Sequence, residues 1–453
     1  MLLERIVSPG LAHYSYLIGD GNDAMVIDPR RDCEIYVDKA TAAGMRIANI
    51  LETHRNEDYI VGSQELASLT DAEIWHADAQ WEYRYGRAAK PGQRWRTGRL
   101  EVEAVLTPGH TPGSMSYLLR DSGGLSWIVF TGDALFAGDV GRTDLLGRDR
   151  SAENAALLYN SIFGKLMPLG DEIIVCPAHG AGSVCGESIA ERLWTTIGIE
   201  RKFNPRLQVK TAEEFVAGMI KSQLERPPYF SRMEEVNLEK APARSRLAPR
   251  PQPPGEFQSL AKEAQVLDTR MELGFGAAHV PGAQNIWLQG LASFAGWFLT
   301  YENPILLVTE TNDPQEPADI LGRLGFDEIA GHLAGGMLAW HMAGLESSSI
   351  ETITVRSLCS LLDAGNNIWI LDVRSDEELR HDGAIPGGHH IHVTQLPDRK
   401  SEVPADRRIY VFCGSGLRSM VAASYLQARG WKDLAVVLGG LAGWKSRRCP
   451  IQR

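Results

Sequence analysis

The sequence predicts an α/β protein built from several domains, on three observations. Its 453 residues exceed what one hydrophobic core commonly organises, roughly 100–200 residues. Apolar runs of strand length alternate with helical periodicities along the chain. The back half repeats its own motifs at an interval close to 104 residues. Composition is that of an ordinary globular protein, 44% hydrophobic and 23% charged. Lys+Arg 46 against Asp+Glu 57 gives a net charge of −11, which argues against a nucleic-acid-binding surface. No apolar run reaches membrane-spanning length and no charged-then-apolar leader opens the chain, so the expected location is the cytoplasm. The 6 cysteines are scattered with no C-x-x-C pair, and reduced thiols are expected rather than a disulfide framework.

Met25-Val-Ile-Asp-Pro29 reads as a strand running into a turn. Residues 33–43 carry helical spacing and stop at Gly44, with Cys33 near the helix start as an ordinary thiol. Ile47–Leu51 is a second strand, followed by Glu52-Thr-His-Arg-Asn-Glu-Asp-Tyr-Ile-Val-Gly62 and a helix from near Ser63. Leu100–Leu106 alternates as a strand and ends in Thr107-Pro-Gly-His-Thr-Pro-Gly-Ser114, where proline and glycine forbid regular structure. Trp127–Phe130 runs into Thr131-Gly-Asp133, and Ile173–Cys176 into Pro177-Ala-His179. Four strand ends thus deliver His54, His110, Asp133 and His179, and strand carboxyl ends are where open α/β sheets gather ligands.

This set resembles the metallo-β-lactamase superfamily and its T-H-x-H-x-D-H signature. The resemblance covers about residues 1–240 and implies an αββα sandwich with a metal site at one edge. His54 and Asp58 match the signature, whereas Asn56 and Tyr59 stand where the family has histidine. The family's two-zinc hydrolases would therefore lose one histidine from each ion. His54, His110 and Asp133 remain, a two-histidine, one-carboxylate set of the kind that binds non-haem Fe(II). The persulfide dioxygenase branch uses these positions, which implies one Fe(II) per chain, with zinc as the alternative. By the same resemblance, Gly141-Arg-Thr-Asp144 makes Arg142 the residue that grips a substrate carboxylate bidentately. Gly180 and Ala181 replace a tyrosine of glutathione-specific members, which leaves glutathione persulfide and coenzyme A persulfide both open. Asp58, His179 and Cys185 are expected beside the metal ligands.

Residues 211–224 read as an amphipathic helix, and the proline-rich stretch 241–254 as a linker. Beyond it, Val266-Leu-Asp-Thr-Arg270 recurs as Ile370-Leu-Asp-Val-Arg374, and Gly335-Gly-Met-Leu-Ala-Trp340 as Gly439-Gly-Leu-Ala-Gly-Trp444. Both copies, 255–348 and 349–453, resemble the rhodanese family, a doubly wound α/β fold with a parallel sheet. In the second, Cys413-Gly-Ser-Gly-Leu-Arg-Ser419 fits the family's C-x-x-G-x-R. That makes Cys413 the nucleophile, with Gly414, Ser415, Gly416, Leu417 and Ser419 forming the cradle and Arg418 adding positive potential. In the first copy Thr309 stands in place of the cysteine, and a packing or subunit-interface role is expected.

The resemblances together imply a bifunctional sulfur enzyme. Its first site oxidises a small-molecule persulfide with O2 to sulfite; its second moves sulfane sulfur through Cys413, with sulfite and thiosulfate as partners. Neither nucleic acid nor membrane is an expected partner, and a homo-oligomer is the family-level expectation. The alternatives are a zinc thioester hydrolase of the glyoxalase-II type with an appended sulfurtransferase, or a sulfur carrier whose metal site has decayed.

Overall fold

Alternating apolar residues of the first half build two six-stranded sheets. In the computed structural model, which describes residues 1–221, 225–240, 248–311 and 313–452, the chain divides into two compact units near residue 245. The first sheet holds β1 (Leu2–Ser8), β2 (His13–Asp20), β3 (Asp23–Ile27), β4 (Arg46–Leu51), β5 (Glu73–His76) and β6 (Arg87–Ala88), in that order. Its first three strands are antiparallel and the rest parallel. The second holds β7 (Arg94–Thr97), β8 (Leu100–Leu106), β9 (Met115–Arg120), β10 (Ser126–Gly132), β11 (Ile174–Pro177) and β12 (Thr195–Thr196), with β10 and β11 its one parallel pair.

Side-chain alternation sorts each strand between two cores. Tyr16, Ile18, Met25, Ile27 and Leu51 of one sheet meet Val102, Tyr117, Leu119, Ile128 and Phe130 of the other. The intervening residues face outward under helices. Leu17, Val26 and Ile50 pack with Tyr36 and Ala40 of helix Glu34–Ala42 and with Leu66 of helix Ser63–Thr70. Leu118, Val129 and Val175 pack with Leu158 of helix Ser151–Ser161 and with Phe215 and Met219 of helix Ala212–Lys221. The result is a helix–sheet–sheet–helix sandwich. The expected helix 211–224 is seen over Ala212–Lys221, and its last three residues lie outside the described set.

The second unit contains two five-stranded parallel sheets of one topology. The first is β13 (Pro251–Gln252), β14 (Gln265–Asp268), β15 (Gln284–Asn285), β16 (Ile305–Val308) and β17 (Ile329–Leu333), in spatial order β13-β17-β16-β14-β15. The second is β18 (Glu351–Thr354), β19 (Trp369–Asp372), β20 (Gly388–His390), β21 (Ile409–Phe412) and β22 (Leu434–Leu438), in order β18-β22-β21-β19-β20. Residues 241–247 of the proline-rich stretch lie outside the described set, but Pro251–Gln252 is an edge strand, a place a sheet tolerates proline.

The repeated Asp-x-Arg motif has the same structural work in both copies. Arg270 closes on Asp268 and donates to the Ala278 carbonyl; Arg374 closes on Asp372 and donates to the Gly383 carbonyl. Each buried ion pair ties a strand end to the turn that follows, and in each the charge faces a hydrogen-bonded partner of opposite sign, the condition under which burial of charge is tolerated.

One sequence expectation is corrected here. Cys359 and Cys449 pair as a disulfide across 90 residues, with Cα atoms 6.1 Å apart. The C-terminal segment folds back on helix Val355–Asp363, a meeting set by tertiary packing that cysteine spacing does not encode. Among the described residues no helix is long and apolar enough to cross a membrane.

Candidate metal centre and nucleophile loop

Four turns at strand ends bring His54, His110, Asp133 and His179 together, all buried. His54 follows β4, His110 follows β8, Asp133 directly follows β10, and His179 comes two residues after β11. The approach is close: Gly132 has φ 53°, and a Cβ there would fall 2.6 Å from the Thr53 hydroxyl.

Hydrogen bonds settle how the histidines point. The Asp28 carboxylate accepts from the Thr53 backbone N–H and hydroxyl, both at 2.7 Å. With its single proton given to Asp28, the Thr53 oxygen accepts from His54 Nδ1 at 2.8 Å. His110 Nδ1 donates to the Arg142 carbonyl at 2.9 Å. Both rings therefore turn Nε2 toward a common centre. Asp78 locks the flanking loops by accepting from the Arg55 N–H, the Thr111 hydroxyl and the Gly113 N–H.

Around that centre four buried atoms have no hydrogen-bond partner: His54 Nε2, His110 Nε2, Asp133 Oδ2 and Glu57 Oε2. Asp133 Oδ2 lies 3.8 Å from His54 Nε2 and 3.4 Å from His110 Nε2. Unpaired buried polar atoms are costly, about 1–3 kcal/mol each, so a cluster aimed at one point is what a cation site requires. The residues present thus fit a metal ion. Burial pushes the Asp133 and Glu57 carboxyls up, but the facing histidines outweigh it, holding Asp133 well below the ordinary carboxylate range and Glu57 at about 2.

Asp58 and His179 meet beside this centre. His179 donates from Nδ1 to Asp133 at 2.8 Å and from Nε2 to Asp58 at 2.9 Å, so both nitrogens are engaged. Burial opposes charge on this ring, but the two carboxylates raise its pKa well above the ordinary value. Tyr59 packs its ring on His13 at 4.1 Å, and Asn56 Nδ2 donates to the His54 carbonyl. Asp58, His179 and Cys185 do lie within ligand reach of one another. The Cys185 thiol donates to Glu57 at 3.3 Å, and burial pushes its pKa up.

Cys413 directly follows β21 and is fully buried. The Gly416 N–H points at its sulfur at 3.1 Å, ahead of helix Leu417–Gln427. Gly440 supports the loop: its φ is 42°, and a Cβ there would meet the Cys413 carbonyl oxygen at 2.3 Å. Arg418 is held over the loop by Glu378, which accepts both arms of the guanidinium at 2.6 Å. The equivalent loop of the first copy, from Thr309, lines a cavity of about 240 Å³ with Glu310, Asp313 and Glu316.

Comparison with known proteins agrees with this layout. The metallo-beta-lactamase superfamily model matches residues 8–179, and the rhodanese-like domain model matches twice, over 254–343 and 354–447. The persulfide dioxygenase ETHE1, mitochondrial, of Bos taurus is 31% identical over 251 residues, 52% of this chain and 88% of that protein. The chain belongs to the metallo-β-lactamase superfamily and carries two rhodanese-like domains behind that fold. Another relative within the superfamily is the hydroxyacylglutathione hydrolase GloC of Haemophilus influenzae, 26% identical over 218 residues, 44% of this chain and 93% of that protein. The crystal structure of a metallo-beta-lactamase from Staphylococcus aureus aligns with a TM-score of 0.66 at 27% identity, over 74% of this chain and 99% of that one.

Against the superfamily signature, the structure adds three residues that pattern reading passed over. Glu57 sits in a spacer position of the signature, yet faces the metal centre. Asp28 ends an apolar strand, the device that marks the other site residues, but lies ahead of the signature. Asp78, at φ 51°, follows the short strand β5. Arg142 is buried, with its fork closed on Asp144 at 2.7 and 2.9 Å and Nη1 reaching the Val184 and Glu225 carbonyls.

Proposed function

We propose that this protein is a two-site sulfur enzyme: a persulfide dioxygenase with a single iron at His54, His110 and Asp133, and a sulfurtransferase at Cys413. One observation carries the first half. Unpaired buried atoms of His54, His110 and Asp133 face one point, while at the neighbouring position both nitrogens of His179 are hydrogen-bonded to carboxylates. That favours a one-metal centre of the iron type over a two-zinc hydrolase. The named relative of Bos taurus supports the same reading.

The net reaction is R–S–S⁻ + O2 + H2O → R–SH + SO3²⁻ + H⁺. When bound, Fe(II) supplies the one-electron chemistry that allows O2 to react with a sulfur anion. The chain's residues do the rest. The Arg142 carbonyl and Thr53 fix the two imidazoles, and the surrounding wall of Tyr59, Cys185 and His179 excludes water. A substrate carboxylate would exchange with Asp144 for the Arg142 fork. At the second site the Cys413 thiolate attacks the outer sulfur of thiosulfate, the S–S bond breaks, and sulfite leaves, giving Cys413–S–S⁻. The Gly416 N–H and Arg418 stabilise the sulfur anion, and an acceptor thiolate then takes the sulfur away.

The test is O2 uptake by anaerobically iron-loaded protein, offered glutathione persulfide and coenzyme A persulfide in turn, with sulfite assayed alongside. Uptake with equimolar sulfite is the expected result, and the faster substrate identifies the thiol carrier. No uptake despite one bound iron would overturn the dioxygenase assignment. Stoichiometric zinc with thioester hydrolysis would favour the hydrolase reading, which the Haemophilus influenzae relative supports.

A further inference from the structure

We infer that Glu57 is a metal ligand, a second carboxylate that takes over the coordination lost with the histidine at position 56. The inference rests on the metal centre proposed above and adds to it a residue that the family signature leaves as a spacer.

Glu57 is fully buried, and its carboxylate spans the space between the two histidines. Oε1 lies 3.2 Å from His110 Nε2, and Oε2 lies 3.9 Å from His54 Nε2. His54, Glu57 and His110 present donor atoms within 4.8 Å of one another, and Glu57, Asp133 and Cys185 do the same. Donors bound about 2.1 Å from one ion stand roughly 3–3.5 Å apart in tetrahedral or octahedral arrangements. The distances around Glu57 are therefore those of a ligand set slightly expanded.

The hydrogen-bond directions define what Glu57 faces. Both histidines spend their Nδ1 protons on Thr53 and on the Arg142 carbonyl, so Nε2 of each is a bare acceptor when the ring is neutral. A carboxylate oxygen facing a bare imidazole nitrogen is repelled unless a metal ion, or a proton on the ring, lies between them. Glu57 Oε2 has no donor of its own, and Oε1 has the weak Cys185 thiol. Asn56, meanwhile, donates from its amide nitrogen to the His54 carbonyl. The ligand role has moved one position along the chain.

The substitution changes the centre's charge and its free positions. Two carboxylates neutralise a divalent ion, where one would leave a unit positive charge. Four protein ligands would leave fewer open positions on the ion for substrate and O2 than three.

The experiment uses the full chain loaded anaerobically with Co(II), whose d–d absorption reports ligand number and type, and with Fe(II) in competition with a chelator. Glu57→Gln, Asp133→Asn, and the pair Asn56→His with Glu57→Ala are compared with the parent, and circular dichroism checks each fold. Glu57→Gln is expected to weaken Fe(II) binding tenfold or more and to alter the Co(II) spectrum. The Asn56→His, Glu57→Ala protein is expected to regain binding with a histidine-richer spectrum. A Glu57→Gln protein with the parent's Co(II) spectrum overturns the inference, even if affinity falls about 10–100-fold, since an outer residue can do that. If Asp133→Asn also leaves metal binding untouched, the metal centre itself is wrong. Loss in Asp133→Asn with an unchanged spectrum in Glu57→Gln removes only Glu57.

Discussion

One hydroxyl proton decides how His54 faces the site. Thr53 gives it to Asp28 and so must accept from His54 Nδ1. A Thr53→Val substitution keeps the shape but removes the oxygen. It should loosen iron binding by about 10–100-fold, measured by chelator competition, while Thr53→Ser restores it. The same change strips the buried Asp28 carboxylate of a donor and should cost about 1–3 kcal/mol in denaturant unfolding. In the second unit the equivalent positioning pair is Glu378 with Arg418. Burial pushes the Glu378 carboxyl up, but the guanidinium outweighs it and holds it at about 2, below the ordinary 4.5. A depressed carboxyl contributes stability that is full above the unfolded value and is lost as pH falls through the folded one. The contribution should therefore fade from about pH 4.5 toward 2, and be on the order of 1–2 kcal/mol at neutral pH for a partly exposed pair. Glu378→Gln should remove that slope from the acid unfolding curve and lower sulfurtransfer by releasing Arg418.

The helix after Cys413 packs between its own sheet and the first rhodanese copy. Eight residues of Leu417–Gln427 are buried, too many for a helix with one face on a sheet. Its outer side is covered by the first copy: Gln284 donates to Ser424 at 2.7 Å and to the Val421 carbonyl, His279 bonds Gln427, and Phe298 packs on Tyr425. In the first copy Pro314 stands at the position of Arg418, and Glu310, Asp313 and Glu316 line the cavity, an acidic surround that disfavours a sulfur anion. Thr309→Cys, introduced into a Cys413→Ser background, should accordingly restore no thiosulfate turnover. Elements of this kind were legible in the sequence wherever the signal was local. The strand-end histidines, the Asp-x-Arg pairs and the Cys413 loop each fit within a few consecutive residues. Glu57 was not legible, because a template that expects histidine at 56 treats 57 as a spacer. Cys359 and Cys449 were not, because 90 residues separate them. The edge strand at Pro251 was hidden by its prolines, which read as linker.

At the scale of the whole chain, two chemically distinct sites sit on two separately built units, and their activities should separate by mutation. Cys413→Ser is expected to abolish sulfurtransfer from thiosulfate while O2 uptake with added persulfide continues at the parent rate. Loss of both would mean that persulfide reaches the metal centre only through Cys413. The disulfide gives a second handle. Joining residues 90 apart restrains the unfolded chain, and replacing Cys359 and Cys449 by alanine should lower the stability of the second unit by about 2–4 kcal/mol, read as a shift in its thermal midpoint.

The depth of Cys413 works as a sieve. A sulfur atom with no exposed surface, ringed by the backbone of its own loop, can be reached by a single terminal atom on a slender donor. Another protein's disulfide, or any bulky electrophile, is turned away on size before chemistry begins. Cyanide should strip the sulfur from Cys413–S–S⁻ within minutes under conditions where a large maleimide leaves the resting thiol unlabelled.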